Sequence, residues 1–115
     1  MILNISNIIQ GSLAVSTSDG QLVYTEVVDQ LSRNNDVSLD FQSIELITTA
    51  FLNAAIGQLY SNNNFDSVFL NKHIFISNIK ESDKPMFQLV IQRAKLYFEN
   101  KKNIEESASK AFYGE

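Results

Sequence analysis

VSLDFQSIELITTAFLNAAIGQLY, residues 37–60, passes from an apolar run ending in Asp40, through a short loop, to Thr48 and Thr49, two hydroxyl residues that open an amphipathic helix. Val37, Leu39 and Phe41 recur at the period of two that marks a strand, and helical patterns flank it in sequence, which predicts a central, largely buried position. From Thr48 onward, Phe51, Leu52, Ala55, Ile56, Leu59 and Tyr60 make a broad apolar face. Asn53, Gly57 and Ser61 are left as a polar row at four-residue spacing, pointing outward and available to a partner. Glycine in a helix interior costs about 1 kcal/mol relative to alanine, so Gly57 marks a close approach, either by a partner or by the chain's own C-terminal segment. A helix mouth carrying Thr48 and Thr49 offers unpaired N–H groups and a positive dipole end that stabilise a phosphate or carboxylate. Such an element serves recognition or regulation rather than catalysis.

Working outward, residues 2–9 and 13–17 continue a period-two pattern on both sides of Gln10-Gly11 and predict a hairpin. Ser18 with Gln21 three positions later fits a capping box, and Tyr24, Val27, Val28 and Leu31 predict a helix over about residues 19–33 that stops at Asn34-Asn35. Residues 65–70 read as a short helix and residues 73–79 as another strand. Pro85, after Ser82 and Asp83, suits a first helical turn, with Phe87, Val90, Ile91, Ala94 and Phe98 as its apolar face. Ile104, Ala108, Ala111 and Phe112 suggest a last amphipathic segment, separate from that helix or continuous with it. The order predicts an α/β fold, a small mixed β-sheet with helices packed on it, in a single domain over residues 1–115 whose residues 100–115 form a C-terminal helical extension.

With 115 residues the chain can bury about two thirds of its unfolded surface and fold without metal or disulfides. No apolar run approaches the roughly 20 residues of a membrane span. The start, MILNISNIIQ, lacks a basic n-region and reads as a strand rather than a signal peptide, so a cytoplasmic location is expected. The absence of cysteine closes thiol catalysis, Cys-ligated zinc and disulfides. A net charge of −4, with Lys101-Lys102 as the longest basic run, argues against nucleic acid as a partner. Asparagine is abundant, and Asn62-Asn63-Asn64 reads as loop chemistry.

Asp40 has the position of a catalytic carboxylate or metal ligand, but with Glu45 as the one acid in the loop that follows it reads as a strand-end residue that accepts hydrogen bonds from loop N–H groups. His73 is the only histidine, without a second one for zinc, a cysteine to activate or a nucleophile elbow to serve, so a structural or surface role is expected. No catalytic residues, metal site or cofactor are expected. Thr48 and Thr49 are either plain N-cap residues or a phosphate-sensing or phosphorylation site.

These residues resemble the STAS superfamily, the sulfate transporter and anti-sigma factor antagonist domains, and in particular its STAS-like branch. Val37-Ser38-Leu39-Asp40-Phe41 matches the Val-x-Leu-Asp strand of the antagonists, residues 44–47 the loop, and Thr48-Thr49-Ala50-Phe51 stands where the antagonists have Asp-Ser-Ser-Gly. The STAS-like branch, with a Thr-Ser-Ser-Phe type of sequence there, is closer. His73-Ile74-Phe75-Ile76-Ser77-Asn78-Ile79, followed by Asp83 and Val90-Ile91-Gln92-Arg93-Ala94-Lys95, resembles the closing strand and helix of that branch, so the resemblance runs from about Val15 to Phe98. The serine phosphorylated in the antagonists falls on Ala50, which has no hydroxyl. Thr49 is the adjacent substitute, while Phe51 replaces the glycine and would crowd a kinase. Either switching has moved to Thr49 or it has been lost.

The resemblance implies a non-enzymatic regulatory module of bacterial partner switching, whose partner is a histidine-kinase-like ATPase or a related sensor. Thr48, Thr49, Asn53 and Gly57 would form the contact, and Thr49 would be the phosphorylated residue. The alternative is a small-anion or nucleotide sensor that binds at the helix N-terminus, a reading weakened by the lack of a basic cradle. A homodimer stays open; no membrane partner is expected.

Overall fold

A computed structural model describes residues 1–61 and 65–112, with side chains up to Glu99. Asn62-Asn63-Asn64 and the side chains of Lys101, Lys102, Ile104, Ala108, Ala111 and Phe112 lie outside the described residues.

The strand at the centre is the one expected. β1 (Ile2–Asn4), β3 (Val37–Asp40) and β5 (Ile74–Ser77) form a parallel sheet in the order β1-β3-β5. Leu3, Leu39 and Ile76 stand in one register row. That face turns to the helices, and Leu3, Val37 and Leu39 are buried there. The neighbouring row, Ile2, Ser38 and Phe75, lies on the opposite face, where Ile2 and Phe75 are exposed. The strand is therefore central but buried on one face only. A second ribbon pairs β2 (Leu13–Ala14) in parallel with β4 (Leu46–Ile47). All pairings among the described residues are parallel.

The hairpin expected at the N-terminus does not form. β1 ends at Asn4, whose side-chain oxygen accepts from the Asn7 N–H at 3.1 Å and from the Ser6 hydroxyl at 2.7 Å, capping helix α1 (Ile5–Ile9). Gln10 then takes the left-handed conformation with φ 57, and the Gly11 N–H closes on the Ser6 carbonyl. Helix spacing was present in Ile5, Ile8 and Ile9, all packed on or in the core. Helix α2 (Thr17–Ser32) is capped by Ser16, not Ser18, with the Asp19 N–H donating to the Ser16 hydroxyl at 3.1 Å. Its buried stripe is Gly20, Val23, Val27 and Leu31, while Tyr24 and Val28 pack at the margin.

The helix opened by Thr48 spans residues 49–61 in three pieces: α3 (Thr49–Leu52), a π-helical turn (Asn53–Gly57) and α4 (Gln58–Ser61). Ala54, Ala55, Ile56 and Gly57 are all buried, because α2 covers one side of this segment and the helix that begins at Lys84 covers the other. Asn53 accordingly stays exposed and Ser61 half-exposed, but Gly57 is buried rather than outward-pointing. The Gln58 side-chain amide donates to the Ala54 carbonyl and to the Gln21 side chain, each at 2.8 Å, and so occupies an acceptor in the irregular turn.

Helix α5 (Ser67–His73) is capped by Asp66 and leads directly into β5. Phe65, Phe69 and His73 stack along it, and His73 Nδ1 lies 2.6 Å from Asp36 Oδ1, tying the end of α5 to the turn before β3. The structural reading of His73 fits that placement. A 3₁₀ turn (Glu81–Asp83) precedes α6 (Lys84–Phe112), one continuous helix with Pro85 in its first turn. Phe87, Val90 and Ala94 join Leu39, Phe41, Ile56 and Leu59 in one hydrophobic core, where the Phe87 and Phe41 rings meet edge to face at 5.1 Å.

Candidate functional site

The loop that leads to the helix mouth is fastened at both ends. Asp40, at the end of the central strand, accepts from the Asn78 side-chain amide at 2.8 Å and from the Gln42 N–H at 2.9 Å. These two bonds, the Asn78 one foremost, hold its carboxyl below the usual range. Asp40 is the strand-end residue expected from its position. Ser43 turns the chain with φ 71, the Glu45 N–H donates to the Ser12 carbonyl at 2.8 Å, and Lys80 Nζ donates to the Glu45 carbonyl at 2.8 Å.

Residues 44–47, read from sequence as loop, end in β4. Its register puts Leu46 beside Leu13, with Ala14 and Ile47 turned into the core. Leu13 and Leu46 are 52 % and 53 % exposed, an apolar pair immediately before the helix mouth. Spacing within residues 37–60 could not single them out, because the pair exists only once β2 and β4 are side by side.

Thr48 and Thr49 have different parts. The Thr48 hydroxyl donates to the Val15 carbonyl at 2.7 Å and accepts from the Phe51 N–H at 3.3 Å, so it caps α3 and ties it to the end of β2. The Thr48 N–H also donates to the Ala14 carbonyl. Thr49 is exposed, and its hydroxyl has no hydrogen-bond partner among the described residues. Ala50 is exposed beside it. Phe51 is fully buried, so the crowding expected where it replaces a glycine is absent.

Asn53 and Gly57 lie elsewhere. Gly57 is two turns along from Thr49, roughly 12 Å at 1.5 Å per residue. With Gln58 and Ser61 they line one wall of a groove of about 370 Å³ whose other wall is Arg93, Ala94 and Tyr97 of α6. Thr48 and Thr49 do not line it. The four residues selected from sequence thus divide between a helix mouth and a separate groove. Arg93 and Tyr97 were missed as site residues because only the packing of α6 on the 49–61 helix brings them there.

The family model for the STAS-like domain of unknown function matches residues 19–84. The chain belongs to this family. No curated protein and no solved structure matches it. In this STAS-like protein the matched stretch takes in the central strand, the fastened loop, the helix mouth and β5, and stops at the first residue of α6. Both exposed leucines of the ribbon are therefore split by the match, with Leu46 inside and Leu13 outside. Among the described residues no group of three His, Cys, Asp or Glu side chains is placed to hold a metal ion. No described helix is long and apolar enough to cross a membrane.

Proposed function

We propose that this STAS-like protein is a non-enzymatic regulatory module of the bacterial cytoplasm that binds a protein partner, a histidine-kinase-like ATPase, through the helix mouth. The observation that carries the reading is the division of labour between the two threonines. Thr48 is consumed by the fold, while Thr49, three residues after Leu46 of the exposed Leu13–Leu46 pair, is exposed and has no hydrogen-bond partner among the described residues. The leucines supply apolar surface to bury, and the hydroxyl supplies a means of control.

A phosphate on Thr49 would bring about −1.5 to −2 charges to the first turn of the helix. The dipole end and N–H groups there tolerate negative charge, so the fold would survive the modification. The cost would fall on the partner, whose apolar contact would have to form beside a hydrated dianion. The switch then works by desolvation and repulsion at the interface rather than by unfolding.

The test uses the ATPase recovered from native extract with the intact chain. Leu46→Asp should abolish binding, Thr49→Glu should weaken it by about tenfold or more, and Thr49→Val should leave it unchanged. Mass spectra after incubation with the ATPase should place phosphate on Thr49. Full binding by Leu46→Asp, or phosphate only at other residues, overturns the reading.

A further inference from the structure

The groove beside α6 has a composition of its own. Its surface is predominantly apolar, Gly57 and Ala94 are its buried residues, and Tyr97 stands 60 % exposed on its wall. Nothing within the fold requires glycine at position 57. A Cβ there would meet Val90 Cγ1 at 3.5 Å and Asn53 Oδ1 at 3.6 Å, which are ordinary contacts. A residue that costs helix stability thus stands where the domain's own packing would accept alanine. What it leaves is room.

The charges point one way. Over the part of the helix beside the groove, Lys84 to Phe98, the charged residues are Lys84, Arg93 and Lys95, and the first carboxylate is Glu99, which does not line the groove. Lys84 is held by Glu81 at 2.7 Å, and Lys95 sits over the Tyr60 ring at 5.2 Å. Arg93 is exposed and has neither an ion pair nor a hydrogen bond among the described residues. No residue lining the groove is acidic. An apolar trough with an aromatic wall and one unclaimed guanidinium is complementary to an apolar side chain adjoining a carboxylate.

We propose that this groove docks an acidic segment of a partner protein, one apolar side chain entering over Gly57 and Ala94 against the Tyr97 ring while an Asp or Glu carboxylate pairs with Arg93. The proposal rests on the reading of the chain as a protein-binding module but not on Thr49 or on an ATPase. The groove is a second contact area, away from the helix mouth.

The experiment selects random displayed peptides on the full chain and measures the winners by fluorescence anisotropy and amide chemical-shift mapping. Enriched peptides should carry Asp or Glu next to Leu, Phe or Trp, and should shift the amides of Gly57, Ala94 and Tyr97. Arg93→Glu and Gly57→Gln should each lower affinity by about tenfold or more with unchanged circular dichroism, whereas Thr49→Glu and Leu46→Asp should leave it alone. Equal loss in those last two variants would place the peptide at the helix mouth and overturn the groove proposal without touching the switch. Failure to enrich any peptide, enrichment without carboxylates, or self-association that Arg93→Glu abolishes in sedimentation would also overturn it, the last by showing a second copy as the occupant.

Discussion

Gly20 of α2 lies against the helical segment of residues 49–61 and Gly57 belongs to that segment, on the side facing α6, and their surroundings differ. A Cβ on Gly20 would fall 2.5 Å from the Phe51 carbonyl oxygen and 2.7 Å from Ala54 Cβ, distances at which backbone must move. A Cβ on Gly57 would meet only ordinary contacts. The side of the helix facing α2 is closed to a single methyl group, while the side facing α6 has space left. Both are buried helix glycines, so burial and residue type do not distinguish a packing requirement from a vacancy. The distance to the nearest backbone atom does.

The largest effect should therefore come from Gly20→Ala, which overpacks the α2 contact and should lower stability by about 3 kcal/mol. Gly57→Ala should do the reverse on a smaller scale, raising stability by up to about 1 kcal/mol through helix propensity and a less flexible unfolded chain. Urea unfolding of both variants at one temperature measures the contrast. Equal destabilisation by the two alanines would break it, because it would mean that the space beside Gly57 is not real.

What could be read beforehand divides along the same line. The central strand, the helix opened by Thr48 and the core of Leu39, Phe41, Ile56, Leu59, Val90 and Ala94 were legible because apolar spacing reports burial directly, and the family resemblance rested on those same residues. The hairpin was misread because residues 2–9 satisfy both periods, and the Asn4 cap decides for a helix after Asn4. Asn53, Gly57 and Ser61 do share one side of the helix, and Gly57 is buried there because Val90 of α6 packs against it, the close approach by the chain's own C-terminal segment that its residue type also allowed. Gly20 attracted no notice because its role is set by the Phe51 carbonyl of a distant segment. Leu13, Arg93 and Tyr97 escaped for the same reason, being site candidates only by tertiary neighbourhood.

The two threonines repeat the contrast at the helix mouth with a smaller expected effect. Thr48→Val removes the N-cap and leaves the Val15 carbonyl without its 2.7 Å donor, a loss of about 2 kcal/mol from the cap and the orphaned acceptor together. Thr49→Val removes a hydroxyl that has no partner among the described residues and should stay within about 0.5 kcal/mol of the parent. Thermal unfolding of the pair tests the assignment. If Thr49→Val were the more damaging, the hydroxyl proposed as a free switch would belong to the fold, and the helix mouth would be a closed side as well.

The smallest effect belongs to Asp40, one of the ties that fasten the loop. Its carboxyl is held below the ordinary value of 3.8 by the Asn78 amide and the Gln42 N–H, both of which bond the charged form. A carboxylate whose folded pKa is depressed stabilises the folded state above the unfolded pKa, and that contribution disappears as pH falls from about 3.8 through the lower folded value. The neutral Asp40→Asn keeps the shape and an acceptor oxygen but cannot titrate. The melting temperature of the parent minus that of Asp40→Asn should therefore be positive near about pH 6 and shrink steadily below about pH 4, with the other carboxylates cancelling in the difference. Because the group is open to solvent, the difference should amount to a small fraction of the Gly20 effect. A difference that stays constant down to about pH 2.5 would show that the Asn78 and Gln42 bonds do not favour the charged carboxylate, and the loop would then be held by its backbone bonds to Ser12 and Ser77 and by the Lys80 side chain.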